Sequence, residues 1–115
     1  MFTGLRTVIY HVSDINKAKK WYADATGVQP YFDEPFYVGF NINGFELGLD
    51  PDMTGVTNGN NSMAYWKVDD IEKVRKHLLS IGGKANGEIR DVGGGIKVGS
   101  VKDPFGNVLA IMQEL

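Results

Sequence analysis

A chain of 115 residues has room for one ordinary domain, or for two very small modules that share a core. Its 43% hydrophobic and 23% charged residues suit a chain that buries a core, which excludes global disorder, and its net charge of −2 excludes an electrostatic grip on nucleic acid or anionic lipid. With no cysteine, disulfides, thiolate metal sites and cysteine nucleophiles are excluded together.

The N-terminal stretch MFTGLRTVIYHV has no basic segment followed by an apolar run, and no stretch reaches the apolar length of a membrane span. A cytoplasmic location is expected. RTVIYHV alternates β-branched and aromatic residues, which predicts a strand. Asp14 then stands where a carboxylate can accept from free amide hydrogens at a helix start, and Ile15, Ala18, Trp21, Tyr22 and Ala25 recur at helical spacing up to a stop at Gly27. Phe36, Val38, Phe40 and Ile42 form an apolar row, and Asn43-Gly44 is a strong hairpin turn. Counting back from that turn pairs Ile42 with Phe45, Asn41 with Glu46, Phe40 with Leu47, Gly39 with Gly48, Val38 with Leu49 and Tyr37 with Asp50. One face of the hairpin is therefore apolar. The other carries Tyr37, Asn41, Glu46 and Asp50 with glycines between.

Residues 51–61, rich in Asp, Gly, Thr and Asn, read as a linker between unit one at 5–50 and unit two at 62–115. MAYWKV predicts a second strand, Asp70 a second helix cap, and Ile71, Val74, Leu78 and Ile81 a second helix ended by Gly82-Gly83. Gly93-Gly94-Gly95 and Asp103-Pro104-Phe105-Gly106 mark turns around IKVGSVK and NVLAIMQ. The two halves repeat: a shift of 56 residues lays Thr7–Val28 over Met63–Lys84 with six identities in 22 positions and no gap. Both halves read as a strand, a helix and about three strands, so the fold class expected is α+β.

A duplicated βαβββ unit, with V-x-D opening each helix and D-P-x-G-N before the last strand, resembles the vicinal oxygen chelate superfamily of glyoxalases, bleomycin resistance proteins and extradiol dioxygenases. The resemblance covers essentially the whole chain. It implies curved mixed sheets around a cleft between the two units, and commonly a homodimer. In metal-dependent members, a divalent ion is held by one residue near the start of the first strand and one on the last strand of each unit. By the motifs, those positions fall on Thr7 and Met63, Ala110, and Gly48. They offer a weak hydroxyl, a soft thioether and two side chains with no donor, whereas a divalent ion needs imidazole or carboxylate. The resemblance therefore implies the fold without the metal, and no cofactor is expected; a two-residue slip of register would put Glu46 in place of Gly48.

By strand parity Thr7, Ile9 and His11 share a face, as do Met63, Tyr65 and Lys67. The resemblance turns these into the cleft, with Tyr37, Asn41 and Glu46 from the hairpin and Val108, Ala110 and Met112 from the last strand. Such a mixture of apolar surface and a few polar handles suits a small hydrophobic or aromatic ligand. His11 and Glu46 are the candidates for catalysis: His11 as a base or a cation for a substrate carboxylate, at the place where some glyoxalases carry a substrate-binding arginine, or merely as a half-solvated strand end. Trp21-Tyr22 reads as core packing, and Gly93–Gly95 is followed by no helix that would make it a phosphate loop. The leading expectation is a metal-independent small-molecule binding protein. The alternative is a glyoxalase-like lyase or isomerase, or a dioxygenase.

Overall fold

The structure is a computed structural model and describes residues 1–59 and 61–115. Asn60, within the stretch read as a linker, lies outside the described residues. The chain divides into two compact units, Met1–Val56 and Thr57–Leu115.

In the first unit, strand β1 (Thr7–His11) leads into helix α1 (Ile15–Thr26), and β2 (Phe32–Glu34), β3 (Tyr37–Ile42) and β4 (Phe45–Asp50) follow. The sheet runs β1-β4-β3-β2, with β1 parallel to β4 and the other pairs antiparallel. Asp14 caps α1 by accepting from the Lys17 amide at 3.1 Å, and Gly27 closes it in the left-handed conformation at φ 77°. The hairpin has the register read from its turn, from Ile42–Phe45 to Val38–Leu49, with Asn43 and Gly44 both at positive φ. The Asn41 side chain accepts from the Gly44 amide, which tightens the turn.

Register decides which side chains meet the helix. Val38, Phe40, Leu47 and Leu49 are buried with Tyr10 and Val12, against Ala18, Trp21 and Tyr22 of α1. Tyr22 stacks on Tyr10 at 5.7 Å and meets Trp21 edge-on at 4.8 Å, so the Trp21-Tyr22 pair is core packing. The apolar row does not stay buried to its ends: Phe36, just before β3, and Phe45, beside the turn, lie exposed.

The second unit holds β5 (Tyr65–Lys67), α2 (Ile71–Ser80), β6 (Lys84–Ala85), β7 (Arg90–Gly93), β8 (Ile96–Lys102) and β9 (Val108–Glu114). Its sheet runs β5-β9-β8-β6, with β7 also on β8. Asp70 repeats the cap of Asp14, accepting from the Lys73 amide at 3.1 Å. Ile81 closes α2 instead of extending its buried stripe, and Gly82 follows at φ 108°. Between β6 and β7, residues 86–89 lie opposite only Gly99 and Ser100, since Ala85 pairs with Val101 and Arg90 with Val98. Two surplus residues thus swell this strand.

The Asp103 carboxylate is buried in the turn it begins, accepting from the amides of Phe105 and Asn107 and from the Asn107 side chain. This turn is a structural device and leaves Asp103 no catalytic duty. Among the described residues, no helix is long and apolar enough to cross a membrane.

Candidate functional site

The face of the first sheet turned away from α1 is built around one carboxylate. Glu46, on β4, is only 8% exposed, and it pairs in register with Thr7 on β1 and Asn41 on β3. Its Oε1 accepts from the hydroxyls of Tyr37 at 2.8 Å and Thr7 at 3.0 Å, and from Arg6 Nη1 at 3.3 Å. Its Oε2 accepts from the hydroxyl of Tyr31, which precedes β2 and is tied to the sheet by its amide on the Gly39 carbonyl. Four donors from three parts of the unit converge on one side chain.

Glycine makes the convergence sterically possible. Gly39 and Gly48 are cross-strand partners on this face. A Cβ on Gly48 would come 2.0 Å from the Tyr37 hydroxyl oxygen, and one on Gly39 would come 2.8 Å from Glu46 Oε2 and 3.1 Å from the Tyr31 ring. Both glycines thus leave the volume into which the tyrosines lean.

Burial pushes the Glu46 carboxyl up, but the hydrogen bonds from Tyr31, Tyr37 and Thr7 and the charge of Arg6 outweigh it, so its pKa lies below the ordinary carboxylate value. Burial, then the bond to Glu46, raises the Tyr37 hydroxyl; the bond to Glu46, then burial, raises Tyr31. A depressed carboxyl adds stability above its ordinary value of 4.5, lost as pH falls through the lowered folded-state value. A raised phenol adds stability below its ordinary value of 10.0, lost as pH rises past it. Urea midpoints at pH 7 and pH 3.5 are therefore expected to differ more in the wild type than in Glu46→Gln. Those at pH 7 and pH 10.5 are expected to differ more than in Tyr37→Phe.

Two hollows flank the carboxylate. One of about 380 Å³ is lined by Ile9, Tyr31, Phe32, Tyr37 and Glu46 with Arg6 and Thr7, and one of about 220 Å³ by Arg6, Tyr31, Asn41, Gly44, Phe45 and Glu46. Ile9 is 48% exposed, and Phe32 sets its ring 6.1 Å from those of both Phe36 and Tyr37.

The first-unit residues expected to share a face thus partly gather. Thr7, Ile9, Tyr37 and Glu46 line one hollow, and Asn41 borders the other. His11 stands apart, four residues along β1 from Thr7, or about 13 Å at strand rise. Its Nδ1 lies 2.8 Å from the Asp52 carbonyl oxygen, which only accepts, so Nδ1 carries the hydrogen. His11 and Glu46 therefore form no acid–base pair. In the second unit, Met63 and Tyr65 line a hollow of about 260 Å³ beside the surplus residues, with Asn86, Arg90, Val98 and Ser100. Ala110 is fully buried, Val108 and Met112 are half-buried, and Lys67 pairs with Met112 at the end of β5.

Arg6, Tyr31 and Phe32 escaped the sequence reading. Two glycines placed opposite each other inside strands were the available signal, since a strand glycine marks a close approach.

The positions that the resemblance assigns to metal ligands can now be placed. Ile9 pairs with Gly48 in one unit and Tyr65 with Ala110 in the other, and the 56-residue shift carries Ile9 onto Tyr65. Gly48 and Ala110 are thus equivalent, and Glu46 corresponds to Val108. Thr7 is bonded to Glu46, the space at Gly48 is filled by Tyr37, Met63 offers a thioether and Ala110 no donor. This set does not fit a divalent ion. Among the described residues, no group of three or more His, Asp or Glu is placed to hold one.

Residues 4–111 match the Glyoxalase/Bleomycin resistance protein/Dioxygenase superfamily, and the chain belongs to that family. Similar solved structures include a glyoxalase/bleomycin resistance protein/dioxygenase family enzyme from Burkholderia phytofirmans PsJN, with TM-score 0.82, 17% identity, and 98% of this chain and 100% of that one covered. A glyoxalase/bleomycin resistance protein from Albidiferax ferrireducens T118 has TM-score 0.78 and 20% identity, over 96% of this chain and 98% of that one. A glyoxalase-related enzyme from Fulvimarina pelagi has TM-score 0.77 and 22% identity, over 98% and 89%. At these identities the likeness is one of fold. A comparison with curated proteins returns no match.

Proposed function

We propose that this protein is a metal-independent small-molecule binder of the glyoxalase/bleomycin resistance type, and that the first unit seats a hydrophobic or aromatic ligand over Glu46. The observation that carries the reading is the carboxylate itself: buried, held by four donors, and bordered by Ile9, Phe32 and the two tyrosines. Apolar walls around a few fixed polar groups are the usual make-up of a ligand pocket. Binding is favoured over catalysis because a carboxylate already held by four donors and depressed in pKa is a poor general base. The reading extends to Met63 and Tyr65 as ligand contacts in the second unit.

A thermal-shift screen of planar aromatic, aliphatic and glycopeptide compounds tests it. A ligand at 100 times its Kd adds about 2.7 kcal/mol to the native state, which is a rise in Tm on the order of 10 °C for a chain of this size. At least one compound is expected to produce such a rise in the wild type and a smaller one in Ile9→Asp. A screen in which no compound raises Tm, or in which the rise survives Ile9→Asp unchanged, overturns the reading.

The proposal includes a homodimer, because β1 and β2 are the outer strands of the first sheet, and outer strands are where a second copy can add. A monomer mass in sedimentation removes that part.

A further inference from the structure

We infer that the Glu46 face selects ligands that bring a hydrogen-bond donor to it, an aromatic O–H or N–H, and discriminates against equally flat rings that can only accept. This rests on the reading of that face as a ligand site, and adds what the ligand must carry.

The inference follows from counting hydrogens. An ionised carboxylate only accepts, so each hydroxyl in contact with Glu46 must turn its one hydrogen toward it. Tyr37 and Thr7 do so on Oε1, and Tyr31 does so on Oε2. Three hydroxyls are then committed inward, and none has a second hydrogen to offer a ligand. The Thr7 oxygen already accepts from Arg6 Nη1 at 2.9 Å, so what the two tyrosines present to the 380 Å³ hollow is oxygen lone pairs, and a hydroxyl that donates to a charged acceptor is itself made a better acceptor. Oε2 receives a single hydrogen bond from the protein and keeps a lone pair as well.

The walls agree with a flat ring as the body of the ligand. Tyr31, Phe32 and Tyr37 supply aromatic surface and Ile9 an aliphatic edge. Among the described residues that line this hollow, Arg6 is the one side-chain donor with hydrogens to spare. Its side chain is 78% exposed, so it stands at the rim in water, where a charge contact adds little. A ligand pushed into the hollow by its ring therefore meets the tyrosine oxygens and Oε2 as acceptors, while the guanidinium stays engaged with Glu46 Oε1 and Thr7 on its water-facing side.

The inference predicts an unusual order of affinity. Anisole is more hydrophobic than phenol, so a site that only buried a ring would favour anisole. A site that needs a hydrogen reverses the order, and only the O–H can do so.

The test titrates the full chain at pH 7 with phenol, anisole and benzoate separately, following amide shifts by NMR, and repeats the titrations on Tyr37→Phe and Tyr31→Phe. Phenol is expected to bind about fivefold or more tightly than anisole, as one hydrogen bond allows, with the largest shifts at Gly39 and Gly48. The ratio is expected to fall toward one in at least one of the two variants. Both keep the ring, and their spectra report whether the fold is intact. Anisole binding there as tightly as phenol, benzoate binding there more tightly than phenol through Arg6, or a phenol preference unchanged in both variants overturns the donor requirement and leaves the face a ligand site. If none of the three shifts the Gly39 and Gly48 amides, the ligand-site reading falls with it.

Discussion

Tyr22→Ala is expected to lower unfolding free energy by about 3–5 kcal/mol, the range for removing a fully buried aromatic side chain. Tyr22 has no exposed surface, lies face to face with Tyr10 from the sheet, and meets Trp21 of its own helix edge-on. Truncation opens a void beneath β1, the strand whose register sets Thr7 against Glu46. The surrounding rings are held by strands and helix, so they can collapse into it only in part. Phe36, in the same unit and from the same apolar row, supplies the contrast: it is exposed, and Phe36→Ala is expected to cost less than about 1 kcal/mol. Urea denaturation of both variants measures the difference. Equal losses would mean that the helix-facing cluster does not hold the unit together.

Gly48→Ala is the second substitution with a large expected effect, and it acts on the other face. The new methyl would stand 2.0 Å from the Tyr37 hydroxyl oxygen and 2.7 Å from the ring carbon that carries it. Such an overlap forces Tyr37 to swing away and give up its bond to Glu46. Overpacking and the lost hydrogen bond together are expected to cost about 2–4 kcal/mol. The collision is with one side chain, so it should vanish with that side chain. In a Tyr37→Ala background, Gly48→Ala is expected to cost less than about 1 kcal/mol, because alanine suits a strand better than glycine. The double-mutant cycle should therefore show a coupling of about 1–3 kcal/mol. Additive costs would show that Gly48 is required for some other reason.

What the sequence disclosed follows from where its signals are local. Asn43-Gly44 fixes a two-residue turn, and a fixed turn numbers every pair behind it, so the hairpin register and the meeting of Asn41 with Glu46 could be counted out. Asp14 and Asp70 carry their helix starts in the same way. The cluster around Glu46 was only half visible, because Tyr31 and Arg6 reach it from outside the counted hairpin. Strand β2 is three exposed residues, Phe-Asp-Glu, with no buried alternation to announce it. The swelling between β6 and β7 was hidden for a related reason: surplus residues alter a register that only the folded partner strand defines.

The family resemblance and the residue chemistry also divided the work. The repeat, the capping aspartates and the Asp-Pro-Phe-Gly turn carry the fold. The positions that the resemblance assigns to metal ligands carry no matching donor set in this chain. At Gly48 the missing side chain leaves room for the Tyr37 phenol, which donates to Glu46.

The alternation along β4 leaves this scaffold with separable duties. Leu47 and Leu49 point one way and pack against the helix, while Glu46 and Gly48 point the other, toward the face proposed to take a ligand. Under the proposed binding role, a protein engineer could randomise Ile9 and Phe32 around a retained Glu46 without disturbing a single helix-facing side chain. Neighbouring codons on one strand would then be free to evolve under unrelated pressures.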